Sequence, residues 1–249
     1  MVCDILIRSY WKDFEWLDFC LASIAKYCRG FRAVVVVVPQ SSKLWLRRHP
    51  LPPIAQIKFS RNYADDYLGQ QATKLLGDTF TDAEYICHVD SDCVFCRPTS
   101  PEDLITDGKP HILKCPCDLL SRRRPWRRPT EKFLGWKVSD DFMQQPPFVF
   151  PRWIYPEVRN HAIRAHGLDL ETYVTSQVPR GFSEFNVLGA FAWERYHERI
   201  IWIDTSVSPA GEPHCRWYWS WGGISEVIRT EILQNLQSSL DDQLLCPPR

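Results

Sequence analysis

Polar and apolar positions fall into alternating blocks over the first ninety residues. Residues 2–8 form a short apolar run suited to a strand, and residues 14–27 repeat apolar positions at helical spacing. Residues 31–38 are a nearly continuous β-branched run ending at Pro39, the pattern of a strand covered on both faces. Ser41 and Ser42 stand where they would cap a short helix reaching residue 48. Residues 55–60 predict a third strand, 65–77 a helix and 84–89 a fourth strand. This β-α-β-α-β-α-β order predicts an α/β fold: a Rossmann-like, mostly parallel central sheet with helices on both faces. Ligands in such sheets bind beyond the carboxyl ends of the strands. Those ends are Arg8-Ser9-Tyr10, Pro39-Gln40, Ser60-Arg61 and Asp90-Ser91-Asp92.

The second half is less regular. Residues 116–156 are rich in Pro, Arg and Trp and predict long loops. Helices are expected over 156–166 and 183–193, a strand over 200–203, and a last helix from Gly222 to about Leu240. Residues 241–249 read as a tail. No repeat or composition break divides the chain, so residues 1–249 are expected to form one domain, with a 1–100 half and an irregular 101–240 half.

Composition narrows the classes. Hydrophobic residues are 45% of the 249 and charged residues 24%, an ordinary globular balance. Thirty basic residues offset thirty acidic ones, so net charge selects no partner. The longest apolar run, residues 33–38, is far short of the ~20 residues of a membrane span. The N-terminus carries Asp4 and Arg8 within its apolar stretch and lacks a small-residue cleavage site, so a cytoplasmic protein is expected. The ten cysteines are then expected as thiols. A zinc site from Cys93, Cys96, Cys115 and Cys117 competes with buried core cysteine.

The most informative stretch is Tyr85-Ile86-Cys87-His88-Val89-Asp90-Ser91-Asp92. An apolar strand delivers two carboxylates to the ligand edge of the sheet. Hard oxygen donors suit Mg²⁺ or Mn²⁺, which can bridge a carboxylate and a diphosphate and stabilise the leaving phosphate. Period-two alternation points Asp90 and Asp92 the same way and turns Ser91 aside. Acidic pairs at strand ends also serve as turn formers and caps.

The order Arg8-Ser9-Tyr10 with Asp13, then Gln71-x-x-Lys74, then His88-Val89-Asp90-Ser91-Asp92 resembles GT-A glycosyltransferases, in particular small bacterial and phage members. The likeness covers about the first hundred residues and extends to Gly181-Phe-Ser-Glu-Phe-Asn186 and His214. It implies a GT-A fold and a metal-dependent, inverting hexosyl transfer from a nucleotide-sugar, a UDP-sugar, to an acceptor hydroxyl. By the same resemblance Arg8, Ser9, Tyr10 and Asp13 contact the nucleotide, and Gln71 and Lys74 reach phosphate or sugar oxygens. Asp90 and Ser91 bind the donor. Asp90, Asp92 and His214 hold Mn²⁺ or Mg²⁺, and Glu184 is the catalytic base. Each has a plain structural alternative: Tyr10 and Trp11 covering the first helix, Lys74 solvated on a helix, Glu184 favouring a helix dipole, His214 an ordinary loop histidine. His88 reads as buried and hydrogen-bonded.

Arg122, Arg123, Arg124, Trp126, Arg127 and Arg128 place five arginines and an indole within seven residues. Arginine suits phosphate and indole suits base stacking, so this segment reads as an acceptor site for duplex DNA, with anionic lipid headgroups, a lipopolysaccharide core, the donor diphosphate or a solvated loop without a partner as alternatives. The small phage enzymes that glucosylate hydroxymethylcytosine fit that reading. A polysaccharide or lipopolysaccharide glycan is the alternative acceptor. A non-catalytic sugar- or nucleic-acid-binding module, with Trp217, Trp219 and Trp221 as a platform, is the alternative class. A nucleotidyltransferase is disfavoured because residues 8–14 lack glycine for a phosphate loop.

Overall fold

A computed structural model describes residues 1–120, 125–207 and 211–237. The chain runs β1 (Cys3–Arg8), α1 (Phe14–Tyr27), β2 (Val34–Pro39), α2 (Lys43–Leu46), β3 (Ala55–Ser60), α3 (Asp66–Leu75) and β4 (Tyr85–Asp90). It continues through β5 (Cys93–Phe95), β6 (Ile105–Thr106), β7 (Lys109–Pro116), α4 (Arg127–Leu134), β8 (Asp140–Asp141) and β9 (Phe148–Pro151). The last described elements are α5 (Ile154–His166), α6 (Leu170–Thr175), α7 (Glu184–Tyr196), β10 (Ile201–Asp204), β11 (Cys215–Trp217) and α8 (Glu226–Gln237).

The central sheet has the order β3-β2-β1-β4-β9. The first four strands are mutually parallel, and β9 joins the β4 edge antiparallel. The mixed α/β architecture with a mostly parallel sheet follows the sequence pattern. The chain leaves β1 toward β2 and β3, then returns through α3 to place β4 on the other side of β1. The order therefore reverses between β1 and β4, where loops diverge and open a crevice. Register sets Arg8 beside Asp90 at the end of that pair.

Side chains alternate strictly across the sheet, which explains why both faces need helices. Leu6, Val35, Val37, Ile86, Phe148 and Phe150 enter one core with α3, α4, α5, α6 and α7. Ile5, Ile7, Val34, Val36, Val38, Cys87, Val89 and Val149 enter a second core against α1. The first core joins strands from before residue 100 to helices from after it, so the two halves share one interior. No helix among the described residues is long and apolar enough to cross a membrane.

Several expectations are corrected. Residues 116–156 hold helix α4, strands β8 and β9 and the start of α5, where long loops were expected. Composition hid α4, because its outer face is Arg, Glu and Lys; Thr130, Phe133 and Leu134 are its buried face, and Gly135 ends it in the left-handed conformation (φ +81°). β2 begins at Val34, three residues late, because Gly30 turns the chain at φ +78° before it can enter the sheet. The last helix begins at Glu226, because Gly222 and Gly223 belong to a tight turn, with Gly223 at φ +68°. Its expected end at Leu240 and the 241–249 tail lie outside the described residues.

Candidate functional site

β1 and β4 end at the crevice, and α3 and α7 supply its floor. Asp65 caps α3 by accepting from the Leu68 N–H at 2.9 Å. Gly69 lets this helix approach Tyr63, because a Cβ there would lie 2.5 Å from the ring. Gly189 does the same for α7, where a Cβ would lie 2.4 Å from Phe142. Tight seating of the two helices brings Lys74 of α3 onto Glu184, the first residue of α7.

The resulting cleft has a volume of about 960 Å³. Arg8, Tyr10, Asp13, Gln71, Lys74, Asp90, Ser91, Asp92 and Glu184 all line it, as does Trp126. The fold thus gathers residues that the sequence places up to 176 positions apart, from Arg8 to Glu184. Ser9 is buried and does not line it. Pro39-Gln40 and Ser60-Arg61, at the far side of the switch point, also lie outside it. Ser91 lines the cleft together with both aspartates. The expected alternation fails because residues 91–92 form a turn rather than extended strand.

Charge is organised around two buried cations. Arg8 donates from Nη1 to Asp66 Oδ2 at 2.8 Å and from Nη2 to Asp66 Oδ1, a bidentate pair. Lys74 Nζ lies 2.5 Å from Asp90 Oδ1 and 2.8 Å from Glu184 Oε1. Burial works against the Lys74 charge, but Asp90 and Glu184 outweigh it and raise its pKa. The sequence reading sent Lys74 to a phosphate or sugar oxygen. In the structure two of its three N–H donors are engaged by carboxylates. Gln71, one turn away on the same helix, is buried with Oε1 unpartnered among the described residues.

Asp92 is clamped by a segment from far along the chain. Its backbone oxygen accepts from the Tyr218 N–H at 2.9 Å, and its Oδ2 accepts from the Ser220 N–H at 3.0 Å. Its Oδ1 is buried with no partner among the described residues. Burial, and then the neighbouring Asp90, push its pKa up to about 7. Burial likewise lifts Asp13 to about 6 despite the Arg8 guanidinium, with Asp66 and Asp90 adding to the rise. Among the described residues five acids and four bases line the cleft, and two of the acids have no cationic partner there.

The orphaned Asp92 oxygen tests the fit of a divalent cation, and the donor set passes. Mg²⁺ and Mn²⁺ take hard oxygens, keep several waters and need only one or two protein carboxylates beside phosphate. Asp90 and Asp92 supply that number. Among the described residues no group of three or more His, Cys, Asp or Glu is spaced to hold a metal by itself, so phosphate and water would complete the shell.

His214 is not brought to this pair. It precedes β11, whose antiparallel ladder with β5 sets Trp217 opposite Cys93 and Cys215 opposite Phe95. His214 therefore sits at the end remote from Asp92, with Nδ1 2.9 Å from Thr99 Oγ1 and its pKa lowered by burial to about 4. The zinc alternative is likewise unsupported: the four cysteines form no ligand group, and none of the described cysteines is in a disulfide. His88 is buried, with Nε2 2.6 Å from the Tyr155 hydroxyl, as expected.

The arginine-rich segment is only partly visible. Arg122, Arg123 and Arg124 lie outside the described residues. Arg127 is paired with Asp118 at 2.9 Å and Glu131 at 3.4 Å. Arg128 is exposed and lies outside the cleft.

Sequence reasoning passed over Asp66, Tyr67, Gln70 and Arg180, which also line the cleft. Asp66 reads as an ordinary first-turn acid. The wall formed by Trp217, Trp219 and Trp221 had a visible period of two but no visible link to Asp92. Trp217 and Trp219 stack at 5.1 Å, and Trp221 meets Trp219 edge-on at 5.9 Å. Compared with known proteins, the chain matches no family model and no curated protein.

Proposed function

We propose that this chain is a glycosyltransferase of the GT-A type that moves a hexose from a nucleotide-sugar, a UDP-sugar, to an acceptor hydroxyl. One observation carries the reading: Asp92 presents a buried carboxylate oxygen that has no partner among the described residues, beside Asp90 at the switch point of a parallel sheet. Asp90 and Asp92 would hold Mn²⁺ or Mg²⁺, which when bound supplies Lewis acidity toward the leaving diphosphate. Tyr10 and Asp13, which line the cleft beyond the end of β1, would meet the base and ribose of a donor. Lys74 links Asp90 to Glu184 and so fixes the base relative to the donor.

In an inverting displacement the acceptor oxygen forms a bond to the anomeric carbon while the bond from that carbon to the phosphate oxygen breaks. The electron pair leaves with UDP. The acceptor proton passes to a Glu184 carboxylate oxygen, which must lie within hydrogen-bond reach of the hydroxyl.

The test is turnover. With Mn²⁺ and a panel of UDP-hexoses, the chain is expected to release UDP, slowly without acceptor. Asp90→Asn and Asp92→Asn are expected to lower release at least a hundredfold. Absence of release from every sugar nucleotide, with or without metal, would leave the chain a binding module.

A further inference from the structure

From residue 19 to residue 64 the chain contains eight lysines and arginines and no aspartate or glutamate, in a sequence of zero net charge. Some of these cations are satisfied internally: Arg32 pairs with Asp4 and Asp82. Others gather on one surface around α2. Lys43, Arg47 and Arg48 are exposed there and, among the described residues, pair with no carboxylate. The nearby Asp18 is occupied by His49 at 2.8 Å.

The same surface exposes apolar bulk. Leu44 is 68% exposed and Trp45 41%. Trp45 stacks on exposed Trp11, with ring centroids 4.4 Å apart and planes 9° from parallel. Ile54 and Ile57 are exposed on and beside β3, the outer strand of the sheet. The patch borders the cleft, since Tyr10 and Lys12, on either side of Trp11, line it.

We infer that this surface docks on an anionic lipid bilayer. Unpaired cations meet the headgroup charge, indoles settle at the headgroup level, and Leu44 enters the acyl boundary. A nucleic acid fits the surface less well. Bases need open aromatic faces, whereas Trp11 and Trp45 cover one another, and exposed leucine and isoleucine gain nothing from a phosphate backbone. Docking would bring the cleft mouth to the bilayer surface without any membrane-spanning segment. The inference stands apart from the sugar-transfer reading, because vesicle binding needs neither donor nor metal.

The experiment is co-flotation of the full chain with phosphatidylcholine vesicles, with and without phosphatidylglycerol as about a third of the lipid. Binding is expected only to the anionic vesicles, weakening steeply as salt rises. That salt titration uses the unmodified protein and so needs no folded variant. Arg47→Glu/Arg48→Glu is expected to weaken binding more than tenfold, each basic side chain near the surface being worth about fivefold. Leu44→Ser is expected to weaken it at fixed charge and to reduce the blue shift of indole emission. Equal binding to neutral vesicles, no binding to either, or undiminished binding by the charge reversal overturns the inference. So does retention on duplex DNA by a chain that ignores the vesicles.

Discussion

The Lys74 ammonium donates to Glu184 Oε1 at 2.8 Å, joining the last turn of α3 to the first of α7. Both side chains are buried, and Asp90 completes the trio at 2.5 Å. Such a bridge is held by its own completeness. Desolvation of three charges is offset only while all are present.

Removing the cation should therefore cost more than removing a surface lysine. Lys74→Met is expected to lower unfolding free energy by about 3–5 kcal/mol, because Glu184 is left buried and unpaired beside a partly buried Asp90. Lys74→Met/Glu184→Gln should recover part of that loss. Urea melts of both single variants and the double variant give the coupling, expected above about 1 kcal/mol. Additive losses would mean that the two groups do not interact.

Asp92 makes the opposite prediction, that a site variant is more stable than the native chain. Its folded pKa, near 7, lies above the ordinary carboxylate value of 3.8. The folded state thus holds this proton more tightly than the unfolded state. No penalty exists below about pH 4; it grows as pH rises toward 7 and is constant above. Asp92→Asn keeps an acceptor for the Ser220 N–H and removes the penalty. It should melt higher than the native chain at pH 8, by at most about 4 kcal/mol, and equally at pH 4. A variant less stable at every pH would show Asp92 to be a structural clamp alone.

Metal and nucleotide should stabilise together. Mn²⁺ with UDP is expected to raise the melting temperature more than either alone, since the ion's shell needs phosphate as well as Asp90 and Asp92. Chelation should reverse the shift, and Asp90→Asn should abolish it. His214→Ala, remote from the pair, should leave the metal-dependent shift in place; its loss would restore His214 as a ligand.

Gly189→Ala separates helix propensity from packing. Propensity alone would stabilise α7 by about 1 kcal/mol. A Cβ 2.4 Å from Phe142 must instead displace the helix, at an expected net cost of about 1–3 kcal/mol. Thermal denaturation decides the sign. Donor-dependent UDP release should fall with it, because Glu184 moves with its helix.

Legibility in the sequence followed the range of the interactions. The bounds of α1 and β3 could be read without error because side-chain periodicity and local turns fix them. Asp90 and Asp92 were legible because a buried strand must end at the ligand edge. The Ser220 N–H that holds Asp92 is 128 positions away, and nothing local announces it. His214 misled for the same reason: its place depends on the β11–β5 register, which puts it at the wrong end of the ladder.

That ladder also orders events during synthesis. The four parallel strands are complete by Asp90, yet the donors that fasten Asp92 come from residues 218 and 220. A nascent chain halted before Cys215 would possess its sheet but would leave Asp92 open to solvent and unanchored. The ribosome thus delivers the scaffold early and the finished crevice only once residues 218 and 220 have been added.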